Sequence, residues 1–219
     1  MMYRETLAAS APFYGRSSAQ ILLKPIEFCH LGSFLPSKSA TELVEFFTLT
    51  GGVPRYLDLA SAYPSFKAAL AGLVLHPDGI LHNEARQLLQ EEIQTPNQCW
   101  SILHAIGSGA NRISEIAGRT GQPANKLTRY LDLLKDLHLV RRETPVLERN
   151  PAKSKKGIYV VSDPFCRLWF GAIYPYMSFF EFSEAEIAYS RIEPLIAKLV
   201  AEGSVRVVVT TNFDRLIEN

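Results

Sequence analysis

The sequence predicts a mainly α chain: a small helical bundle, then a winged helix-turn-helix, then a truncated α/β tail. Three observations carry this. Apolar residues recur at steps of three and four from Ser39 to about Leu137, the helical period. Between Asn97 and Val161 three helical stretches precede two short β-prone runs, the element order of a winged helix. The same stretch holds 11 Lys+Arg against 5 Asp+Glu, whereas residues 1–96 hold 7 against 9 and residues 162–219 hold 5 against 8.

Composition sets the bounds. A chain of 219 residues, 47% hydrophobic and 21% charged, is long enough to bury a real core. Cys29, Cys99 and Cys166 lie far apart, with no CxxC or Cys/His ligand spacing, so they read as small core residues in a reducing compartment. No apolar run reaches the roughly 18 residues a membrane span needs. The N-terminus has no apolar stretch of signal-peptide length, and a cytoplasmic location is expected.

In chain order, Met1–Arg16 begins helical and is broken by Pro12 and Gly15, and Ile21–Leu23 reads as an edge strand ended by Pro25. Phe28–Leu35 reads as a small turn or helix. Ser39 and Glu42 have capping-box spacing ahead of Leu43, Val44, Phe46, Phe47 and Leu49. Gly51-Gly52-Val53-Pro54 should end that helix and open the next. Further amphipathic helices are expected over Tyr63–Leu75 and Asp78–Gln94, the latter with Leu81, Ala85, Leu88, Leu89 and Ile93 inward and Glu84, Glu91 and Glu92 outward.

The winged-helix reading starts with Trp100, Leu103, His104 and Ile106 on a first helix. A brief second helix holds Ile113, Ile116 and Ala117 inward and stops at Gly121. The third has Pro123 in its first turn and a stripe of Leu127, Tyr130, Leu131, Leu134 and Leu137. Asn125, Lys126, Thr128 and Arg129 then point away from the stripe, toward solvent or a groove. Two strands follow around the Asn150–Pro151 turn, where Arg149, Lys153, Lys155 and Lys156 form a cluster able to neutralise phosphates. Double-stranded DNA is the expected partner. A protein-docking module is the alternative, since winged helices serve both.

Beyond the hairpin, Asp163-Pro164 starts a helix that Phe165, Leu168, Trp169, Phe170, Ile173 and Tyr174 make apolar nearly all round, as in a buried or partner-covered helix. Ser183–Leu199 offers one more, with Ile187, Tyr189, Ile192, Leu195 and Ile196 inward and Pro194 expected to kink or divide it.

PFYGR, LKPIEF, FFTLTGGVPRYLDL and NPAKSKKGIYVVSDPFCRLWF, in that order, resemble the archaeal-type, STAND-like (DEXX-box) branch of the prokaryotic AAA+ ATPases, from about Met1 to Ile196. The resemblance implies a remnant of the ATPase core at 1–38, a helical lid at 39–95, the winged helix at 96–162, and helices of the family's uncharacterised terminal domain at 163–199. It further implies that Arg16 could sense a γ-phosphate and that Gly51, Gly52 and Pro54 could meet the adenine of ATP or ADP held with Mg, given a complete ATPase core. Read from the residues alone, the same glycines and proline make a helix stop and a helix start. No GxxxxGK[ST] is present, so this chain alone is not expected to bind or hydrolyse ATP.

Residues 200–219 change character. Val205–Val209 reads as a buried strand, and Thr210-Thr211-Asn212-Phe213-Asp214 resembles a sirtuin segment in which the Asn and Asp lie at the NAD site. Asn212 and Asp214 would then be a remnant of such a site, although Asp214 also suits a helix N-cap. The five histidines are scattered, with neither HExxH nor GxSxG spacing, so no catalytic or metal constellation is expected.

Overall fold

The computed structural model describes residues 23–201, except residues 94, 146, 149, 151–153, 155, 181 and 185. Arg16, Arg149, Lys153, Lys155, Asn212 and Asp214 lie outside the described residues, as do the expected α/β tail and most of the ATPase-core remnant. Leu23, at the end of the expected edge strand, is irregular and exposed. What is described is mainly helical with one two-stranded antiparallel sheet. No described helix is long and apolar enough to cross a membrane.

A 3-10 turn at Phe28–His30 leads into α1 (Leu31–Phe34). Helix α2 (Ala40–Thr50) opens on the expected capping box: the Ser39 N–H donates to the Glu42 carboxylate at 2.9 Å and the Glu42 N–H to Ser39 Oγ at 3.3 Å. It ends at Gly51, in the left-handed region at φ 58°, and α3 (Pro54–Ser61) begins with Pro54 in its first turn. The next two helices are shorter than their periodicity suggests. Helix α4 (Phe66–Leu70) starts only after Pro64, where Ser65 Oγ accepts from the Ala68 N–H at 3.2 Å, and then widens into a π turn at Ala71–Leu75. Helix α5 covers Glu84–Glu92 rather than Asp78–Gln94.

The missing turns of α5 have a tertiary cause. Gly79 lies against the Leu73 backbone, the Leu81 N–H donates to the Leu73 carbonyl at 2.9 Å, and the buried His82 ring has Nδ1 2.8 Å from the Val74 carbonyl. These bonds replace the helical ones that residues 77–83 would otherwise make. Glu84, expected outward, is half-buried and accepts from the Tyr56 hydroxyl at 2.6 Å. Burial and that carboxylate push the Tyr56 phenol well above its ordinary value.

Helices α6 (Pro96–Gly107), α7 (Ile113–Thr120) and α8 (Ala124–Asp136) precede β1 (Val140–Glu143) and β2 (Ile158–Val161). The strands pair antiparallel, Val140 opposite Val161 and Glu143 opposite Ile158. Only four residues of each β-prone run are paired. Gly121 does stop α7, at φ 66°, while Pro123 sits at the N-cap of α8 rather than inside its first turn.

Helix α9 (Pro164–Leu168) starts as expected, with Asp163 accepting from the Cys166 N–H at 2.7 Å and Pro164 at the first position. It continues as a π turn (Trp169–Ile173) and a 3-10 turn (Tyr174–Tyr176) before α10 (Met177–Phe180). Helix α11 covers 186–201 and runs on through Pro194 without dividing. Ala188, Ile192 and Ile196 are its buried residues, whereas Ile187, expected inward, is exposed. One buried cluster extends from Leu31 to Ile196 and contains Cys99 and Cys166; Cys29, expected in the core, is exposed.

Two glycines in the left-handed region separate backbone strain from steric conflict. A Cβ on Gly52 (φ 74°) would stand 2.0 Å from the Ile26 carbonyl oxygen, whereas one on Gly121 would meet nothing within 4 Å. Gly121→Ala should therefore cost about 1 kcal/mol from backbone strain. Gly52→Ala should cost about 3 kcal/mol or more, because overpacking is added to strain. Urea-unfolding midpoints of the two variants check the ordering; equal losses would contradict it.

Candidate nucleic-acid interface

The leucine stripe fixes which side of α8 is free. At roughly 100° per residue, Leu127, Leu131 and Leu134 fall within one sector, and all three are fully buried against α6 and α7. Asn125 and Arg129 fall opposite that sector and Lys126 and Thr128 on its two flanks, and the structure places all four on the exposed surface of the helix's N-terminal half. Among the described residues neither Lys126 nor Arg129 has an ion-pair partner. Farther along the helix, Asp132 pairs with Lys135 at 2.7 Å, so the basic character belongs to the first two turns. Tyr130 and Leu137, expected on the stripe, are half-buried at its margins.

The approach to α8 is held firmly. The Glu115 carboxylate accepts from the Asn111 and Arg112 N–H groups at 2.9 and 3.0 Å, capping α7. These backbone bonds, with the neighbouring arginines, hold Glu115 below the usual carboxylate range. Asn111 in turn accepts from the Tyr159 N–H at 2.7 Å, which joins the loop between α6 and α7 to β2. That bond has no local sequence signature.

At its far end α8 closes on His138, a non-glycine residue at φ 59°. Its carbonyl accepts from the Ser162 hydroxyl at 2.6 Å, and the Leu139 carbonyl from the Ser162 N–H at 2.9 Å. The root of the wing is ordered too. Arg142 donates to the Ser154 carbonyl, Ser154 Oγ to Glu148 at 3.0 Å, and the Lys156 N–H to Ser154 Oγ at 3.1 Å. Of the four expected phosphate-neutralising residues here, Lys156 is described, and it is exposed. Leu147, on the same loop, is 95% exposed. Arg141 pairs with Glu143 at 2.8 Å, which withdraws part of the segment's charge from any partner.

The second expected site, Gly51-Gly52-Val53-Pro54, lies elsewhere. Both glycines are buried. Gly52 receives Ile26, whose N–H donates to the Gly52 carbonyl at 2.8 Å, and Gly51 makes room for Pro164, 3.2 Å from where its Cβ would be. The chain's own packing thus accounts for both glycines, and Pro54 is the exposed member of the motif.

A carboxylate held below its ordinary value stabilises the fold while ionised. The Glu115 contribution is therefore full above the ordinary glutamate range and is lost as pH falls through the lowered folded value. Glu115→Ala should lower the thermal midpoint at neutral pH, and the deficit should shrink below about pH 4. A deficit that stays constant with pH would contradict the cap.

Comparison with known proteins adds one relative. An uncharacterised protein of Methanocaldococcus jannaschii is 31% identical over 207 residues, a match that takes in 92% of this chain and 46% of the relative. The chain thus spans about half the length of that relative. No protein-family profile and no solved structure matches the chain.

Proposed function

We propose that this chain is the C-terminal part of a prokaryotic AAA+/STAND-like ATPase and that its winged helix binds duplex DNA. The observation that carries the DNA reading is the exposed first half of α8, where Asn125, Lys126, Thr128 and Arg129 all stand outside the buried leucine stripe. Amide, hydroxyl, ammonium and guanidinium groups at a helix N-terminal half can reach base edges in a major groove. Exposed Lys156, with Arg149, Lys153 and Lys155 in the sequence around it, would lie along the phosphate backbone. The ATPase reading rests on the ordered sequence motifs. In such a protein, ATP or ADP with Mg bound to a P-loop domain would govern how the winged helix is presented. A second reading, docking of a protein partner, is favoured by the exposed Leu147 on the wing, an apolar group with no use in phosphate contact. A sirtuin-like, NAD-linked role for Asn212 and Asp214 rests on the sequence alone.

Neutralising Lys153, Lys155 and Lys156 should weaken binding to any duplex and flatten the salt slope by up to about 3 units, since each phosphate contact adds roughly 0.9. Lys126→Ala and Arg129→Ala should cost about 1–3 kcal/mol for each base-reading contact, more on a preferred site than on random DNA. Gel-shift titrations at several salt concentrations measure both effects. If the unmodified chain binds no duplex more tightly than about 0.1 mM at low salt, the groove reading fails and docking replaces it. The ATPase reading makes a separate prediction. The backbone N–H groups and Lys of a phosphate loop, which supply most of a nucleotide site, have no counterpart in this sequence. Purified chain supplied with Mg and ATP should release no phosphate above background, and measurable release would overturn that view.

A further inference from the structure

Among the described residues, three different metal-ligating side chains converge at one place. The ligand atoms of Glu27, Cys29 and His30 all lie within 4.8 Å of one another, on the exposed side of the 3-10 turn that precedes α1. The thiol of Cys29 is already 3.9 Å from the Glu27 carboxylate. We propose that Glu27, Cys29 and His30 form a site for Zn2+ or a cation of similar chemistry, with one coordination position left open.

The backbone beneath the three side chains is fixed from the other side. The Ile26 N–H is bonded to the Gly52 carbonyl at 2.8 Å, and the Phe28 ring meets Phe47 edge-on at 5.6 Å. Leu31 is fully buried, and the His30 N–H closes the turn on the Glu27 carbonyl at 3.0 Å. Residues 26, 28 and 31 therefore anchor the turn, and residues 27, 29 and 30 project from it. That division gives the exposure of Cys29 a reason that the core positions of Cys99 and Cys166 lack.

Chemistry narrows the cation. A thiolate, an imidazole and a carboxylate suit zinc, whose tetrahedral site would bring ligand atoms to separations of roughly 3.5 Å given bond lengths of about 2.0–2.3 Å. Calcium and magnesium, which prefer all-oxygen ligation, are disfavoured by the sulfur and nitrogen donors. Three protein ligands leave the fourth position to water or to an incoming group. The spacing, Glu-x-Cys-His, matches none of the familiar ligand repeats, so the sequence alone does not display the site.

The test is a titration of the reduced chain with Co2+, a spectroscopic substitute for Zn2+. One equivalent should bind and give thiolate-to-cobalt charge-transfer absorption in the near ultraviolet, and Zn2+ should abolish it. Cys29→Ser should remove the band. His30→Ala and Glu27→Gln should each weaken binding by about 10-fold or more, since even outer-shell losses at metal sites reach that size. All three side chains are exposed, so the variants should keep the helical circular-dichroism spectrum of the parent. The proposal is overturned if no band forms at about 1 mM Co2+, if the band survives in Cys29→Ser, or if His30→Ala binds like the parent.

Discussion

The packing of α9 and its π extension decides how the rest of the molecule sits. Residues 163–174 reach α2, α3, α6, β2 and the loop at His82. Asp163 and Pro164 seat beneath Gly51 at the end of α2, and Phe165 meets Tyr56 of α3 at 5.4 Å between ring centroids. Trp169 faces His82 at 6.4 Å, and Phe170 faces Trp100 of α6 at 4.8 Å. Phe165, Leu168, Trp169, Phe170 and Ile173 are all buried, and each such side chain contributes about 1.5–3 kcal/mol relative to exposure. The approach to α6 is closest at Gly107, where a Cβ would come within 2.7 Å of the Phe170 Cβ. Burial raises the Asp163 carboxyl above the ordinary aspartate value, a cost of placing a capping carboxylate inside this junction. Without this segment, α2 and α3 on one side and α6 on the other would share far less surface.

Much of the fold was legible because the decisive signals are local. Ser39 and Glu42 stand three residues apart and make the capping box that the spacing announces, and Gly121 stops α7 for the reason any left-handed cap needs glycine. Leu127, Leu131 and Leu134 follow the helical period and lie where the period puts them. Residues 77–83 defeat the same method, because bonds from Leu81 and His82 to the α4 extension outcompete helical ones. Ile187 fails differently: its neighbour Ala188 faces the core, a displacement of one position that periodicity alone does not resolve. Neither π turn has a sequence signature, since widening a helix by one residue depends on what packs against it.

The candidate interface was legible for a narrower reason. Once the leucines are assigned inward, Asn125, Lys126, Thr128 and Arg129 can only face out, so their exposure follows from geometry. How much charge that face keeps did not follow, because the Arg141–Glu143 and Lys135–Asp132 pairs depend on side-chain placement. The glycine pair shows the opposite limit. A cradle for a ligand and a crossing point for the chain both call for absent side chains, and the residue letters do not distinguish them. The partner of Gly52 is the Ile26 backbone, twenty-six positions away in sequence. Cys29 was misplaced by its residue type, since cysteine is usually buried and nothing local marks its turn as outward-facing.

The joint at Ser162 has a mechanical consequence. Within a few residues, the end of α8, the paired ends of β1 and β2 and the start of α9 meet, through bonds from Ser162 to the His138 and Leu139 carbonyls and from Arg167 Nε to the Val161 carbonyl at 3.3 Å. There is no slack chain between these elements to absorb a displacement. A change that displaces α9 from its seat on α2 therefore strains the same few bonds that close α8 and the root of the wing, so the stability of the basic helix is tied to packing at Pro164.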